Sequence, residues 1–163
     1  MDIVIRNAVD ADAAAIIKVH YDAVHQTAAK DYEQAILDDW SSSEKERVDH
    51  LEVQIRINPK KRDLLIAEIG GQIVGFGELD AAGGEIVALY VSPTVNRKGV
   101  GQALLAELES IARKQNVLKL TLDSSLTAEP FYSANDYQSA GQHEHQLKSG
   151  RKMPCIKMHK DLN

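Results

Sequence analysis

The residues whose spacing suggests chemistry lie at positions 85–102, EIVALYVSPTVNRKGVGQ. An apolar, strand-like run is followed by a short polar loop and by two glycines at the start of a helical pattern. The first amides of a helix have no carbonyl partners within it and carry the positive end of its dipole, so they can hold an anion. Gly99 and Gly101 have no Cβ and would let a pyrophosphate approach the backbone. This stretch therefore predicts a phosphate-binding site.

Two common phosphate-binding motifs do not fit this loop. An ATP-binding loop needs Gly-Lys-Ser or Gly-Lys-Thr after its first glycine and four further residues, whereas Lys98 precedes Gly99 and no hydroxyl follows Gly101. A dinucleotide fingerprint needs a third glycine where this chain has Leu104, although Asp123 lies at a tolerable distance for its acidic residue. A nucleotide-binding α/β domain is therefore the weaker alternative.

The run NRKGVG, residues 96–101, resembles the (Gln/Arg)-x-x-Gly-x-(Gly/Ala) signature of the GNAT superfamily of N-acetyltransferases. Asn96 departs from the usual Gln or Arg, and the preceding Tyr-Val-Ser-Pro run also recurs in the family. The resemblance implies that the loop binds the pyrophosphate of acetyl-coenzyme A and that the strand before it pairs with the pantetheine arm. The cofactor-binding residues that it implies are Leu89, Tyr90, Val91, Asn96, Arg97, Lys98, Gly99, Val100, Gly101, Gln102 and Ser125.

Tyr132 is the candidate acid. The run AEPFYSANDY, residues 128–137, resembles the family pattern Ala-x-x-Phe-Tyr-x-x-x-Gly-Phe, in which the Tyr reaches the sulfur of coenzyme A. Asp136 and Tyr137 replace the Gly and Phe of that pattern, and Asp tolerates the left-handed backbone of a turn better than most residues. The structural alternative is a packed tyrosine whose hydroxyl is bonded elsewhere. Near it, Ser125 lies where relatives carry a cofactor-contacting Asn, and Thr127 is expected to cap the next helix.

Glu85 is the candidate base, because an amine must lose its proton before it attacks. It opens the strand before the loop and is placed like the catalytic Glu of the histone-acetylating members of the family. Glu78 on the neighbouring strand is a second candidate for this role. The structural alternative for Glu85 is an exposed acid at a strand start.

The composition is that of an ordinary globular protein and predicts a single domain over residues 1–163. A net charge of −5 argues against a nucleic-acid surface. Cys155 is alone and is expected to be a small buried hydrophobe, and no apolar run approaches the roughly 18 residues of a membrane span. The cytoplasm is the expected location.

The six histidines, including His143 and His145, lack the spacing of a metal site, so we expect no metal.

The periodicity predicts the elements that position these residues. A first strand, three helices and a three-strand meander precede the loop, and a helix, a strand, a short helix and two strands follow it. Strands are predicted at 3–5, 63–69, 72–79, 85–91, 117–122, 137–141 and 153–159, and helices at 10–28, 31–39, 43–58, 99–115 and 127–135. Ser43 and Glu46 form a capping box for the third helix, and Glu109 is placed on the water-facing side of the fourth.

This order matches the GNAT fold: α/β, with a mixed, mostly antiparallel sheet of about seven strands and helices on both faces. In that fold the strand before the glycine loop and the next strand splay apart, and the first helices wall the acceptor pocket. The resemblance implies acetyl transfer to a primary amine by direct attack in a ternary complex, with a small-molecule or peptide acceptor. A non-catalytic acyl-coenzyme A sensor or interaction module on the same fold is the alternative, and both a monomer and a homodimer stay open.

Overall fold

The computed structural model describes residues 2–42 and 44–163, so Ser43 of the predicted capping box lies outside the described residues. The described strands form one seven-stranded sheet in the order β1-β2-β3-β4-β5-β7-β6. Only the β4–β5 pair is parallel. The strands are β1 Ile3–Asn7, β2 Asp63–Ile69, β3 Gln72–Asp80, β4 Glu85–Val91, β5 Lys119–Ser125, β6 Gln138–Gln146 and β7 Lys152–Asp161. The predicted α/β fold class is confirmed.

The helices pack on both faces of this sheet. They are α1 Ala13–Asp22, α2 Gln34–Trp40, α3 Lys45–Ile57, α4 Val100–Lys114 and α5 Glu129–Ser133. On one face of β3, Phe76 packs with Ile16 and Val19 of α1. On the other face, α4 lies so close to the sheet that a Cβ at Gly77 would be 2.8 Å from Leu108 Cδ1. The glycine in β3 therefore leaves the room that α4 occupies.

Strands β4 and β5 separate soon after they meet. Their register contains one pair, Glu85 with Thr121, and the chain crosses between them through α4. On the other side of β4, the register with β3 shifts between Glu78 and Leu79, which leaves Val87 without a partner. Such a bulge bends a strand and increases its twist. The bulge thus lies where β4 turns away from β5, and it opens a gap in the middle of the sheet.

Two predicted local features are wrong. The first helix does not run unbroken to residue 28: α1 ends at Asp22, and a π-turn, Ala23–Thr27, and a 3₁₀ turn, Ala28–Lys30, follow it. Before α1, the Asp12 carboxylate accepts hydrogen bonds from the Val9 amide and from Arg6. Leu118 precedes β5 and is 78% exposed.

Glu109 of α4 does not face water, because two distant groups reach it in the fold. It is 6% exposed, and its Oε1 accepts hydrogen bonds from the Tyr137 hydroxyl at 3.0 Å and from Lys160 Nζ at 3.0 Å. Tyr137 follows α5, and Lys160 lies on β7. The carboxylate is paired, as a buried charge must be, and it joins α4 to the second half of the sheet.

Glu109→Ala is expected to lower the free energy of unfolding by about 2–4 kcal/mol, because it leaves the Lys160 ammonium partly buried without its carboxylate. The side chain of Lys160 is only 18% exposed. Urea unfolding followed by circular dichroism measures this change. Glu107→Ala, on the exposed side of the same helix, is the control and should cost less than about 0.5 kcal/mol. Equal stability of the two variants would show that the Glu109 network contributes nothing.

Candidate active site

A cavity of about 680 Å³ lies where β4, the glycine loop, α4 and α5 meet, and we call it the loop cavity. It is bounded on a third side by the turns that follow α1. All the predicted cofactor-binding residues except Lys98 line it: Leu89, Tyr90, Val91, Asn96, Arg97, Gly99, Val100, Gly101, Gln102 and Ser125. Lys98 is exposed and lies outside the cavity lining.

The glycine loop, residues 96–101, leads into α4 and lines this cavity at positions where glycine leaves the backbone uncovered. Gly99 precedes α4 with φ +82°, and a Cβ placed there would find no atom within 4 Å. A Cβ on Gly101 would lie 3.4 Å from the Phe131 ring of α5. The α4 hydrogen bonds begin with the Ala103 amide, which donates to the Gly99 carbonyl, so the preceding amides have no partner within the helix. Open space in front of these amides fits a diphosphate.

A smaller cavity of about 170 Å³ fills the gap between β4 and β5, and we call it the strand-gap cavity. Its lining includes both predicted catalytic residues, Glu85 and Tyr132, and also Cys155 of β7. The strand-gap cavity and the loop cavity share lining residues: Trp40, Leu89, Tyr90, Ser125, Ala128 and Tyr132. An elongated ligand could therefore extend from the glycine loop into the gap.

Tyr132 lines this gap with a buried side chain. Its side chain is 6% exposed, and its hydroxyl makes no hydrogen bond to any other described residue. Burial raises the pKa of the Tyr132 phenol above its ordinary value, so the phenol stays protonated in neutral solution. The hydroxyl is therefore available as a hydrogen-bond donor.

The two candidate bases lie in different cavities. Glu85 is exposed at the start of β4 and lines the strand-gap cavity. Glu78 lines a separate cavity of about 690 Å³ between α1, α3 and strands β2 to β4, which we call the helix cavity, and its Oε1 lies 3.4 Å from Arg62 Nη1. Of the two acids, Glu85 alone shares a cavity with Tyr132.

The capping role predicted for Thr127 is wrong. Ser125 Oγ accepts the Ala128 amide at 3.1 Å at the start of α5, whereas Thr127 Oγ1 donates to Asp31 at 2.6 Å. The chain reverses immediately after β5, which brings Ser125 rather than Thr127 within reach of the first amides. Ser125 thus both shapes the turn and lines the loop cavity and the strand-gap cavity.

Aromatic side chains from the first helices surround Tyr90 of β4. The Trp40 indole donates to the Tyr90 hydroxyl at 3.2 Å, and the His20 ring lies edge-on to Tyr90 with centroids 4.4 Å apart. Tyr90 lines the loop, strand-gap and helix cavities.

No local pattern in the sequence marks two further residues of these cavities. Val87 is the bulge residue of β4. Arg47 belongs to a polar stretch of α3 and yet lines the helix cavity.

Cys155 and the histidines do not form a second chemical centre. Burial raises the pKa of the Cys155 thiol, which keeps it protonated and a poor nucleophile. Within residues 2–42 and 44–163, no group of three or more His, Cys, Asp or Glu side chains could hold a metal ion.

Membrane-spanning helices are a separate question. No helix in the described part of the chain is long and apolar enough to cross a membrane.

Comparison with known proteins identifies the family to which this chain belongs. Residues 26–162 match the family model described as an acetyltransferase (GNAT) domain, so the chain belongs to the GNAT family and is an acyltransferase. It is 28% identical over 141 residues to the uncharacterized N-acetyltransferase YafP of Escherichia coli K12, covering 86% of this chain and 85% of that protein. The predicted family is confirmed.

Solved structures of N-acetyltransferases superpose on nearly the whole length of this chain. A GCN5-related N-acetyltransferase from Rhodopseudomonas palustris superposes with a TM-score of 0.87 at 26% identity, covering 99% of this chain and 97% of that one. The PaiA N-acetyltransferase of Thermoplasma acidophilum, solved with coenzyme A, has a TM-score of 0.74 at 24% identity and covers 99% of each chain. Both share the fold described above.

Proposed function

We propose that this acetyltransferase moves the acetyl group of acetyl-coenzyme A to a primary amine by direct attack in a ternary complex. One observation carries the proposal. The loop cavity, in front of the α4 amides, shares six lining residues with the strand-gap cavity, and one of them is Tyr132, whose hydroxyl has no hydrogen-bond partner among the described residues. The fold neighbour yncA of Salmonella typhimurium, solved with acetyl-CoA at 22% identity and a TM-score of 0.69, is consistent with this co-substrate.

In this proposal, acetyl-coenzyme A is bound mainly by backbone groups of the protein. The amides of residues 99–102 would hold the diphosphate, with Arg97 at the rim of the cavity. The edge of β4 at Leu89 and Val91 has no register partner in β5, because that pairing ends near Glu85. It can therefore pair with the amide groups of the pantetheine arm, which explains how apolar strand residues belong to a cofactor site.

The bound co-substrate supplies an acetyl group activated as a thioester. Glu85 would accept the proton of the incoming amine, and the Tyr132 hydroxyl would donate to the sulfur as the carbon–sulfur bond breaks. The backbone around the Val87 bulge is the candidate donor to the carbonyl oxygen, since a bulge leaves a residue unpaired. The protonated Cys155 argues against an acyl-enzyme on this residue.

A thiol assay tests the proposal. The protein is incubated with acetyl-coenzyme A and a panel of amines, and free thiol is measured with a chromogenic disulfide. Thiol release that depends on both the protein and the amine is expected. Tight binding of acetyl-coenzyme A without amine-dependent turnover would favour the acyl-coenzyme A sensor. Calorimetric binding of ATP or NAD, with none of coenzyme A, would favour a nucleotide-binding domain.

Glu85→Gln is expected to lower kcat/KM for the amine about tenfold at neutral pH. The loss should shrink at alkaline pH, because more of the amine is then already unprotonated and needs no base. A pH–rate profile from pH 6 to 10 measures this. Glu107→Gln, an exposed acid outside the three cavities, is the matched control. A profile for Glu85→Gln that matches the wild type would remove Glu85 from the mechanism.

A further inference from the structure

The helix cavity is more basic than the rest of the protein. It lies on the sheet face covered by α1 and α3, opposite α4, and has a volume of about 690 Å³. Its charged lining contains Arg47, Lys60 and Arg62 against Asp63 and Glu78, in a chain whose net charge is −5. Val87 and Ala88 of β4 line both this cavity and the strand-gap cavity. A molecule in the helix cavity therefore lies beside the predicted site of acetyl transfer.

Arg47 lines the helix cavity without a carboxylate partner within ion-pair distance among the described residues. Its side chain is half-buried, and it donates to the Ser41 hydroxyl at 3.2 Å, to the Ser42 carbonyl and to His20 Nδ1 at 3.1 Å. No carboxylate of the described residues forms an ion pair with it, whereas Arg62 of the same cavity is paired with Glu78. A guanidinium has five N–H donors, and the described residues accept from three of those of Arg47, which lines the cavity.

His20 does not supply the missing negative charge. Burial lowers the pKa of His20 to about 3, so the ring is neutral in ordinary solution. Because a guanidinium cannot accept a hydrogen bond, His20 Nδ1 must be the acceptor in its contact with Arg47, which places the ring proton on Nε2. Burial also lowers the pKa of Arg47, and this effect outweighs the opposing effects of Tyr90 and Glu44.

Arg62, which also lines the helix cavity, adds a second unsatisfied donor. Its Nε atom is buried and has no hydrogen-bond partner among the described residues, and its Nη1 reaches Glu78 only at 3.4 Å. Buried donors without partners are rare in folded proteins and are commonly satisfied by a ligand or by water. Two arginines whose donors are only partly used by the described residues thus line one cavity, together with Glu78, the partner of Arg62.

We propose that the acceptor is a primary amine that also carries a carboxylate, and that Arg47 holds this carboxylate in the helix cavity. The proposal rests on the proposed acetyl transfer and adds the substrate class. A planar guanidinium binds a carboxylate through two parallel hydrogen bonds, which fixes the orientation as well as the charge of the acceptor. A purely cationic acceptor such as a polyamine would leave Arg47 without a carboxylate partner.

The experiment compares matched acceptors. The twenty standard amino acids, their carboxamides and the polyamines spermidine and cadaverine are assayed by thiol release with acetyl-coenzyme A. Each acid–amide pair differs in the negative charge of the carboxylate. For the best acceptor pair, kcat/KM of the acid is expected to exceed that of the amide at least about tenfold, the size of one charge-assisted hydrogen bond. Faster transfer to amides or polyamines than to any acid would overturn the proposal.

Variants then test Arg47 itself. Arg47→Gln should bring the acid-to-amide ratio of kcat/KM close to one, and Arg47→Lys should restore part of it. Arg56→Gln is the control, since Arg56 lies on the same helix, pairs with Asp10 at 3.1 Å and does not line the cavity. A purely structural role for Arg47 would lower the rates for acids and amides alike and leave their ratio unchanged, which would also overturn the proposal.

Calorimetry separates this inference from the proposed function. The same acid–amide pairs are titrated into the protein bound to coenzyme A. If no amine releases thiol but acids bind more tightly than amides and lose this preference in Arg47→Gln, acetyl transfer is wrong and the carboxylate site stands. If thiol is released but the acids show no preference in binding or turnover, acetyl transfer stands and the carboxylate site is wrong.

Discussion

Tyr132→Phe is expected to lower kcat for acetyl transfer about a hundredfold, with the KM for acetyl-coenzyme A within about twofold of the wild-type value. The hydroxyl is the only group removed, and it has no hydrogen-bond partner among the described residues, so the fold loses little. What disappears is a donor facing the strand-gap cavity, which acts mainly when charge develops on the leaving sulfur. Steady-state kinetics with saturating amine measure the effect.

The pH dependence gives a second readout for Tyr132. Because burial raises the pKa of its phenol, the hydroxyl keeps its proton through neutral and moderately alkaline pH, and its donor function is lost only above that range. The wild type should therefore show no decline in kcat from Tyr132 between about pH 7 and 9. Tyr21→Phe, which removes a hydroxyl outside the three cavities, is the control. Full turnover by Tyr132→Phe with a good acceptor would show that this residue is not the acid.

Strand β4, the glycine loop and helix α4 were predictable because the sequence patterns that specify them are local. The apolar run of β4 begins and ends at the predicted residues, Glu85 and Val91. The pattern of leucines at helical spacing in α4 predicts a buried stripe, and Leu104, Leu105 and Leu108 are buried. The glycine loop between these elements follows from the same short stretch. The backbone of the candidate cofactor site is therefore encoded within about twenty consecutive residues.

Other features depend on partners that no local pattern reveals. Glu109 is buried because Tyr137 and Lys160, 28 and 51 residues away, reach its carboxylate. The Val87 bulge arises from the register of β4 against β3, which the spacing of apolar residues does not determine. Arg47 belongs to a charged helical stretch that resembles a solvated face, yet it contacts Ser41, Ser42 and His20. The proposed acceptor side thus depends on contacts such as that of Arg47 with His20, 27 residues away, which explains why the sequence left the acceptor open.

The glycine loop permits a test in which strain and ligand binding are separated. Gly99→Leu is expected to weaken coenzyme A binding about tenfold to hundredfold, because its side chain would enter the open space in front of the α4 amides and cost one or two hydrogen bonds to a charged group. The left-handed backbone at φ +82° also costs an L-residue about 1–2 kcal/mol, which lowers stability independently of the ligand. Calorimetry with coenzyme A and urea unfolding measure the two effects.

Gly71→Leu is the matched control for this variant. Gly71 has φ +78°, and a Cβ placed there, as at Gly99, would find no atom within 4 Å, but Gly71 lies in the hairpin between β2 and β3, outside the loop cavity. Both substitutions should therefore lower the free energy of unfolding by about the same 1–2 kcal/mol, and only Gly99→Leu should weaken coenzyme A binding. If both variants bind coenzyme A as the wild type does, the diphosphate lies elsewhere. The roles assigned to Glu85 and Tyr132 would then lose their geometric basis, because both depend on a ligand that enters the strand gap from this loop.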